Sequence, residues 1–193
     1  NEPDAQALIN DDYMKLEIGK LKYDFMTNAE ALVHGDLHSG SVMVKADASG
    51  NSISTKAFDS EFAFYGPIAF DIGAVMANFY IAMARATALG RSEHLAYLEE
   101  LPAKTWGSFE SNFRKLWPSR VDKRILSDEL LEFLLNKWKV DALGFASAKM
   151  SRRIVGLAKT TDIETLDPEV RVGAARGVLQ SAQHIIRERQ KNA

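Results

Sequence analysis

The chain has 193 residues, of which 46% are hydrophobic and 26% charged, with a formal net charge of −2 and no cysteine. That is the make-up of a soluble globular protein with one sizeable domain or two small ones, and it supplies no cationic field to hold nucleic acid, although a local phosphate site is compatible with it. Disulfides and thiolate metal sites are excluded, and a reducing, cytoplasmic compartment is the default expectation.

The sequence opens Asn1-Glu2-Pro3-Asp4 and not on Met, with no signal peptide, and reads as a piece of a longer protein. Residues 4–28 carry Leu8, Met14, Leu16, Ile18, Leu21 and Phe25 at helical spacing, which predicts one helix ending near Thr27-Asn28. The period then changes. Ala31-Leu32-Val33 and Val42-Met43-Val44 are short apolar runs, and residues 47–51 hold turn-forming Asp, Ser, Gly and Asn. Ile53, Thr55 and Ala57 alternate as in a half-buried strand, so residues 42–45 and 53–58 are expected to form a small hairpin. From Phe70 the pattern is helical. Residues 70–89 are apolar nearly all round, but Asp71, Asn78 and Arg85 interrupt the run, which argues for a buried core helix rather than a membrane span. Further helices fit residues 92–101, 103–116, 127–139 and 143–159. The last opens at Asp167-Pro168 and runs to about Gln190, with Arg187, Arg189 and Lys191 at the end that suits cations. No repeat or linker divides residues 1–193, so the expected fold class is α+β: a single, mostly helical domain carrying a small β-hairpin.

Two polar clusters leave the strand-like runs. One is His34-Gly35-Asp36-Leu37-His38-Ser39-Gly40-Ser41, and the other is Phe58-Asp59-Ser60-Glu61-Phe62. Loops at strand ends let such side chains converge on a ligand. Phosphoryl transfer needs an acid to orient the attacking hydroxyl, hard oxygen ligands for Mg²⁺, and cations for the developing charge. Asp36 suits the first role, Asp59 and Glu61 the second, and Arg152 and Arg153 the third. Taken singly, each has an ordinary explanation. An Asp after Gly forms turns, exposed carboxylates are solvated, and adjacent arginines on a helix cannot share one face. His34 suits a packed, hydrogen-bonded histidine that shapes the loop, His38 suits either role, and Asp71 suits a first-turn helix acid.

The order of the whole set is more specific. The segment His34–Ser41 resembles the catalytic loop of aminoglycoside-phosphotransferase-like kinases and, more closely, that of the 5-methylthioribose kinases. Asp59-Ser60-Glu61-Phe62-Ala63-Phe64-Tyr65-Gly66-Pro67-Ile68-Ala69-Phe70-Asp71-Ile72-Gly73 and Lys149-Met150-Ser151-Arg152-Arg153-Ile154-Val155-Gly156-Leu157-Ala158 are similar to two further segments of that family, and the resemblance runs from about residue 5 to the end. It implies the C-terminal lobe of a protein-kinase-like fold and ATP-dependent phosphorylation of the 1-hydroxyl of 5-methylthioribose in methionine salvage. It also implies Asp36 as base, Asp59 and Glu61 on Mg²⁺, and Arg152 and Arg153 on the sugar or its phosphoryl group. Asp71 would accept hydrogen bonds from the loop's amides and fix its shape, and His34, His38 and Ser41 are expected to support the same loop. The partners implied are a sugar, a nucleotide and a second copy in a homodimer, with no nucleic acid or membrane. Ser60 replaces the family's proline, which loosens that turn, and Ser41 stands where protein kinases carry a metal-binding asparagine. The ATP-binding lobe of the family would lie before residue 1, so these residues alone are expected to be inactive. Competing readings are a kinase for another small alcohol (an aminoglycoside, choline or homoserine), a binding module without turnover, and a binuclear metallophosphatase suggested by Gly35-Asp36-Leu37-His38. The last lacks its further metal-binding boxes, since Gly50-Asn51 is followed by Ser52.

Overall fold

A computed structural model describes residues 2–191. Along the chain it has α1 (Glu2–Ile9), α2 (Asp12–Thr27), β1 (Ala31–Val33), β2 (Val42–Ala46), β3 (Ser52–Ala57), β4 (Phe64–Gly66), α3 (Ala69–Ala88), α4 (Ser92–Glu99), α5 (Leu101–Leu116), α6 (Asp128–Val155), α7 (Thr161–Glu164) and α8 (Pro168–Glu188). This is the mostly helical α+β class expected from the sequence.

Several boundaries differ for local reasons. The helix expected over residues 4–28 is two helices, because the Asp11 carboxylate accepts the Met14 N–H at 3.0 Å and caps a new helix instead of continuing the old one. The pair expected over 127–139 and 143–159 is the one long helix α6. Nothing between them breaks a helix: Lys137 donates to Asp141 one turn on at 2.7 Å, and Val140 and Ala142 are buried. β2 and β3 form the expected antiparallel hairpin, with Val42 opposite Ala57 and an irregularity between Lys45 and Ala46. It is not half-buried, however. Met43 and Val44, which point to opposite faces, are both exposed, as is Ile53. β4 and the single turn α7 are too short to show a period. β4 exists because it pairs with β1, placing Leu32 opposite Tyr65.

The core forms where α3 packs on α6 and α8. Ala69, Gly73 and Ala77 recur every four residues along α3 and are buried. A Cβ on Gly73 would lie 2.4 Å from the Ala142 carbonyl oxygen and 2.8 Å from the Phe145 Cβ, so the two backbones touch at this crossing. Ile81, Leu135, Trp138, Met150, Val178 and Ile186 close around it, each large aliphatic side chain contributing about 1.5–3 kcal/mol by burial. The basic end of α8 does more than meet a helix dipole. Arg187 reaches Asp11 at 2.5 Å, and Arg189 reaches Glu17 at 2.5 Å with both side chains almost wholly buried, so α2 is clamped to the body. This packing fixes the N-terminal turn of α3 beneath the loop that follows β1.

Candidate active site

The loop after β1 is shaped by one acid of α3. Asp71, in the first turn and only 8% exposed, accepts the backbone N–H of His34 at 2.5 Å, of Gly35 at 3.4 Å and of Leu37 at 3.4 Å. A carboxylate is suited to gather several amides, because charge-assisted bonds are the stronger ones. The helix bearing it is itself anchored, since Glu30, just before β1, accepts the N–H of Ile68 at 2.9 Å as α3 begins.

Histidine and serine complete the loop. His34 bridges Phe58 O through Nε2 at 2.8 Å and faces the Asp36 N–H through Nδ1 at 3.4 Å. His38 accepts the Gly40 N–H on Nδ1 at 3.0 Å, while its own N–H donates to Ser41 Oγ at 2.9 Å. Ser41 is 2% exposed, and its hydroxyl lies 2.9 Å from His38 O and 3.4 Å from Asp36 O. That hydroxyl is therefore engaged within the loop.

The same contacts draw in the second cluster. Gly35 has φ +85°, and a Cβ there would sit 2.1 Å from the Phe62 carbonyl oxygen. A side chain at this position would push the two loops apart. His34 holds the other flank of that loop at Phe58, and Phe58 N donates to Ser41 O at 3.0 Å. Asp59 and Glu61 thus sit on a loop pressed against the Asp36 loop, both side chains exposed. Asp59 is the one described non-glycine residue with positive φ, at +67°. This backbone state is tolerated best by Asn and Asp and costs on the order of 1 kcal/mol.

Asp36 itself meets a cation from the other end of the chain. Lys149 Nζ, on α6, donates to Asp36 Oδ1 at 3.1 Å; the lysine side chain is 11% exposed and that of Asp36 39%. Partial burial pushes the Asp36 carboxyl up, but the Lys149 ammonium, helped by His38 and Arg153, outweighs it and holds the group below the usual carboxylate range. Burial lowers the Lys149 ammonium in turn, and Asp36 offsets only part of that. Lys149 and Arg153 lie one turn apart on α6 and share a face. Both line a cleft of about 300 Å³ with His38, Asn78, Lys159 and Asp162 among the other walls. Arg152 is exposed and does not line that cleft. The structure thus brings Asp36, His38, Lys149 and Arg153 together and sets Arg152 on another face. Lys149 had no role assigned from the sequence; its place four residues before Arg153 in the third quoted segment was the available signal. A larger cavity, of about 620 Å³, is lined by Met76, Tyr80, Trp106 and Leu143 among others, and contains none of the loop acids. It includes no residue of the 34–41 loop, whereas the smaller cleft is lined by His38 of that loop and by Lys149, the partner of Asp36, so the smaller cleft is the candidate.

The donor set bears on a divalent cation. Among the described residues no three His, Asp or Glu side chains gather into a metal site. Asp59 and Glu61 offer two carboxylates, which fits an ion whose remaining ligands are waters and substrate phosphates, the usual arrangement for Mg²⁺.

Residues 10–101, which contain both loops, match the Ecdysteroid kinase-like family. Methylthioribose kinase of Geobacillus kaustophilus (strain HTA426) is 41% identical over 194 residues, covering 97% of this chain and 45% of the relative. Methylthioribose kinase 1 of Oryza sativa subsp. japonica is 37% identical, covering 97% of this chain and 46% of the relative. Methylthioribose kinase of Bacillus cereus (strain AH820) is 34% identical across 100% of the chain and 48% of the relative. The chain spans about half the length of the curated relatives it matches. Over the half that it spans, this chain is similar to the methylthioribose kinases from end to end, as its three short segments imply.

Proposed function

We propose that residues 1–193 are the substrate-binding and catalytic lobe of a small-molecule kinase that transfers the γ-phosphoryl group of ATP to the 1-hydroxyl of 5-methylthioribose, a step of methionine salvage. The observation that carries this reading is the ion pair between Asp36 and Lys149, formed across more than a hundred residues of chain, with Lys149 and Arg153 both on the walls of one cleft. The similarity to methylthioribose kinases supports the substrate.

In this reading the sugar occupies the cleft beside Asp36. Its hydroxyl oxygen attacks the γ-phosphorus, the bond to the bridging oxygen of the β-phosphate breaks, ADP leaves, and the hydroxyl proton passes to Asp36. Arg153 faces the transferred group, and Arg152 is the second arginine the family resemblance implies. Asp59 and Glu61 would hold Mg²⁺, which neutralises phosphate charge when bound. His34, His38, Ser41 and Asp71 fix the loop. ATP would be held by a second lobe outside these residues, and the intact protein is expected to act as a homodimer.

Asp36→Asn in the intact protein tests the assignment. Transfer, followed as ADP release, should fall by about two to four orders of magnitude, as expected for loss of a general base, while methylthioribose still binds. Loss of binding with transfer retained would refute it. A panel including aminoglycosides, choline and homoserine decides the substrate.

A further inference from the structure

The Asp36 carboxylate is held asymmetrically. Oδ1 receives the Lys149 ammonium at 3.1 Å, whereas Oδ2 lies 3.9 Å from His38 Nε2, beyond hydrogen-bonding distance. His38 cannot turn to close that gap without cost, because its Nδ1 is occupied by the Gly40 N–H. Accepting on Nδ1 leaves the ring's proton on Nε2, directed to the Asp36 side. Lys149 is equally constrained. It leaves α6 between Ala146 and Met150, both fully buried, and its own side chain is nearly so. Its ammonium has one anionic partner among the described residues, Asp36, with Asp71 of α3 acting at longer range and Arg153 opposing it from the next turn.

Building on the kinase reading, we propose that Lys149 is a positioning residue for the base. It ties down Oδ1 of Asp36 and leaves Oδ2, on the His38 side, as the oxygen that takes the substrate's hydroxyl proton.

Three features favour this over a purely structural ion pair. Lys149 lines the cleft instead of lying beneath it, and so does His38 of the Asp36 loop. A nearly buried lysine beside a half-exposed acid costs desolvation without adding packing that an apolar residue could not supply. And a base that can rotate loses the alignment on which proton transfer depends. The groups facing Asp36 are the Lys149 and Arg153 cations from α6 and the His38 ring, through its Nε2–H, from its own loop. Removing Lys149 leaves burial opposed only by the weaker two, so the carboxyl must become harder to ionise.

The test uses Lys149→Met, close in size and uncharged, and Lys149→Arg, which keeps the charge, in the intact protein with ATP and methylthioribose. Lys149→Met should lower kcat by about a hundredfold, as expected for a misplaced reacting group, with little change in KM for the sugar, and should move the acidic limb of the pH profile to higher pH. Lys149→Arg should recover most of the loss. A kcat unchanged in Lys149→Met, or a loss that Lys149→Arg does not relieve, overturns the proposal. Carbon-13 titration of the Asp36 carboxyl in the metal-free 193-residue chain provides a readout independent of turnover. It should titrate at higher pH in Lys149→Met, and an unmoved titration sinks the pairing even if activity falls through misfolding. If the unaltered protein fails to phosphorylate methylthioribose while the titration moves as expected, the substrate assignment is wrong and the control of Asp36 by Lys149 stands.

Discussion

Asp71 shows how much a single side chain carries. It lies in the first turn of a helix whose sequence is otherwise dominated by apolar residues, yet its carboxylate gathers the amides of His34, Gly35 and Leu37. Without an acceptor those partly buried N–H groups lose their bonds and gain little water in exchange. Asp71→Ala should therefore lower stability by about 2–4 kcal/mol, read as a fall in the urea midpoint at unchanged m-value. It should also remove activity from the intact protein even where the fold persists, because the Asp36 loop is shaped through it. Asp59 is a second case. An Asp in the left-handed region beside the candidate base is the kind of strain that surrounding structure must hold in place, and here the holders are His34 on Phe58 and Gly35 on Phe62. From the sequence, Asp36, Asp59 and Asp71 were visible as three acids. Their unequal surroundings were not.

At the level of elements, the chain is organised by close approaches that small residues permit. α3 meets α6 backbone to backbone at Gly73, and α6 in turn lets Arg189 pass over Gly144 to reach Glu17. A Cβ on Gly144 would sit 2.1 Å from Arg189 Nη1 and 2.8 Å from a Leu21 methyl carbon. Gly144→Ala gains helix propensity of about 1 kcal/mol but must displace a guanidinium whose anionic partner, Glu17, is 6% exposed. Separating a buried pair leaves an uncompensated charge and costs about 3–5 kcal/mol, so the clash should win. The expected outcome is net destabilisation by about 2–4 kcal/mol in chemical denaturation, with hydrogen exchange rising first in α2. A neutral or stabilising effect would show that the arginine is not needed where it sits. Helical periodicity located α3, α6 and α8 in the sequence. It split α6 in two at Val140-Asp141-Ala142, because a polar residue between buried ones looks like a boundary until Lys137 is seen to pair with Asp141.

For the molecule as a whole, the site is a meeting of distant segments on a helical body. The loops after β1 and β3 supply Asp36, Asp59 and Glu61, α3 supplies Asp71, and α6 supplies Lys149 and Arg153 from the far end of the sequence. The two carboxylates proposed for Mg²⁺ are exposed and lack a third protein ligand among the described residues. These 193 residues should therefore bind Mg²⁺ weakly by calorimetry, with affinity rising when nucleotide phosphates are present in the intact protein. Binding tighter than about micromolar by the chain alone would contradict a site that shares its ion with phosphates. No described helix is long and apolar enough to cross a membrane. The hairpin and the β1–β4 ribbon, which flank the candidate loops in sequence, carry exposed Met43, Val44, Ile53, Leu32 and Tyr65.

The sequence by itself determined the fold class, the helical body and the candidate chemistry, because period and local motif are short-range properties: a 3.6-residue apolar pattern, a capping Ser127, and a run of loop residues that resembles one family's. Only the tertiary structure decided which of those residues meet. It decided that Arg153 and not Arg152 faces the cleft, a choice the roughly 100° between helix neighbours leaves open until α6 is packed. It also introduced Lys149, since a lysine's charge says nothing about its partner until packing of α6 on α3 fixes where the side chain ends. β4 is the same lesson in the backbone. Three residues contain no period to read, and the strand exists because β1, thirty residues earlier, offers it an edge.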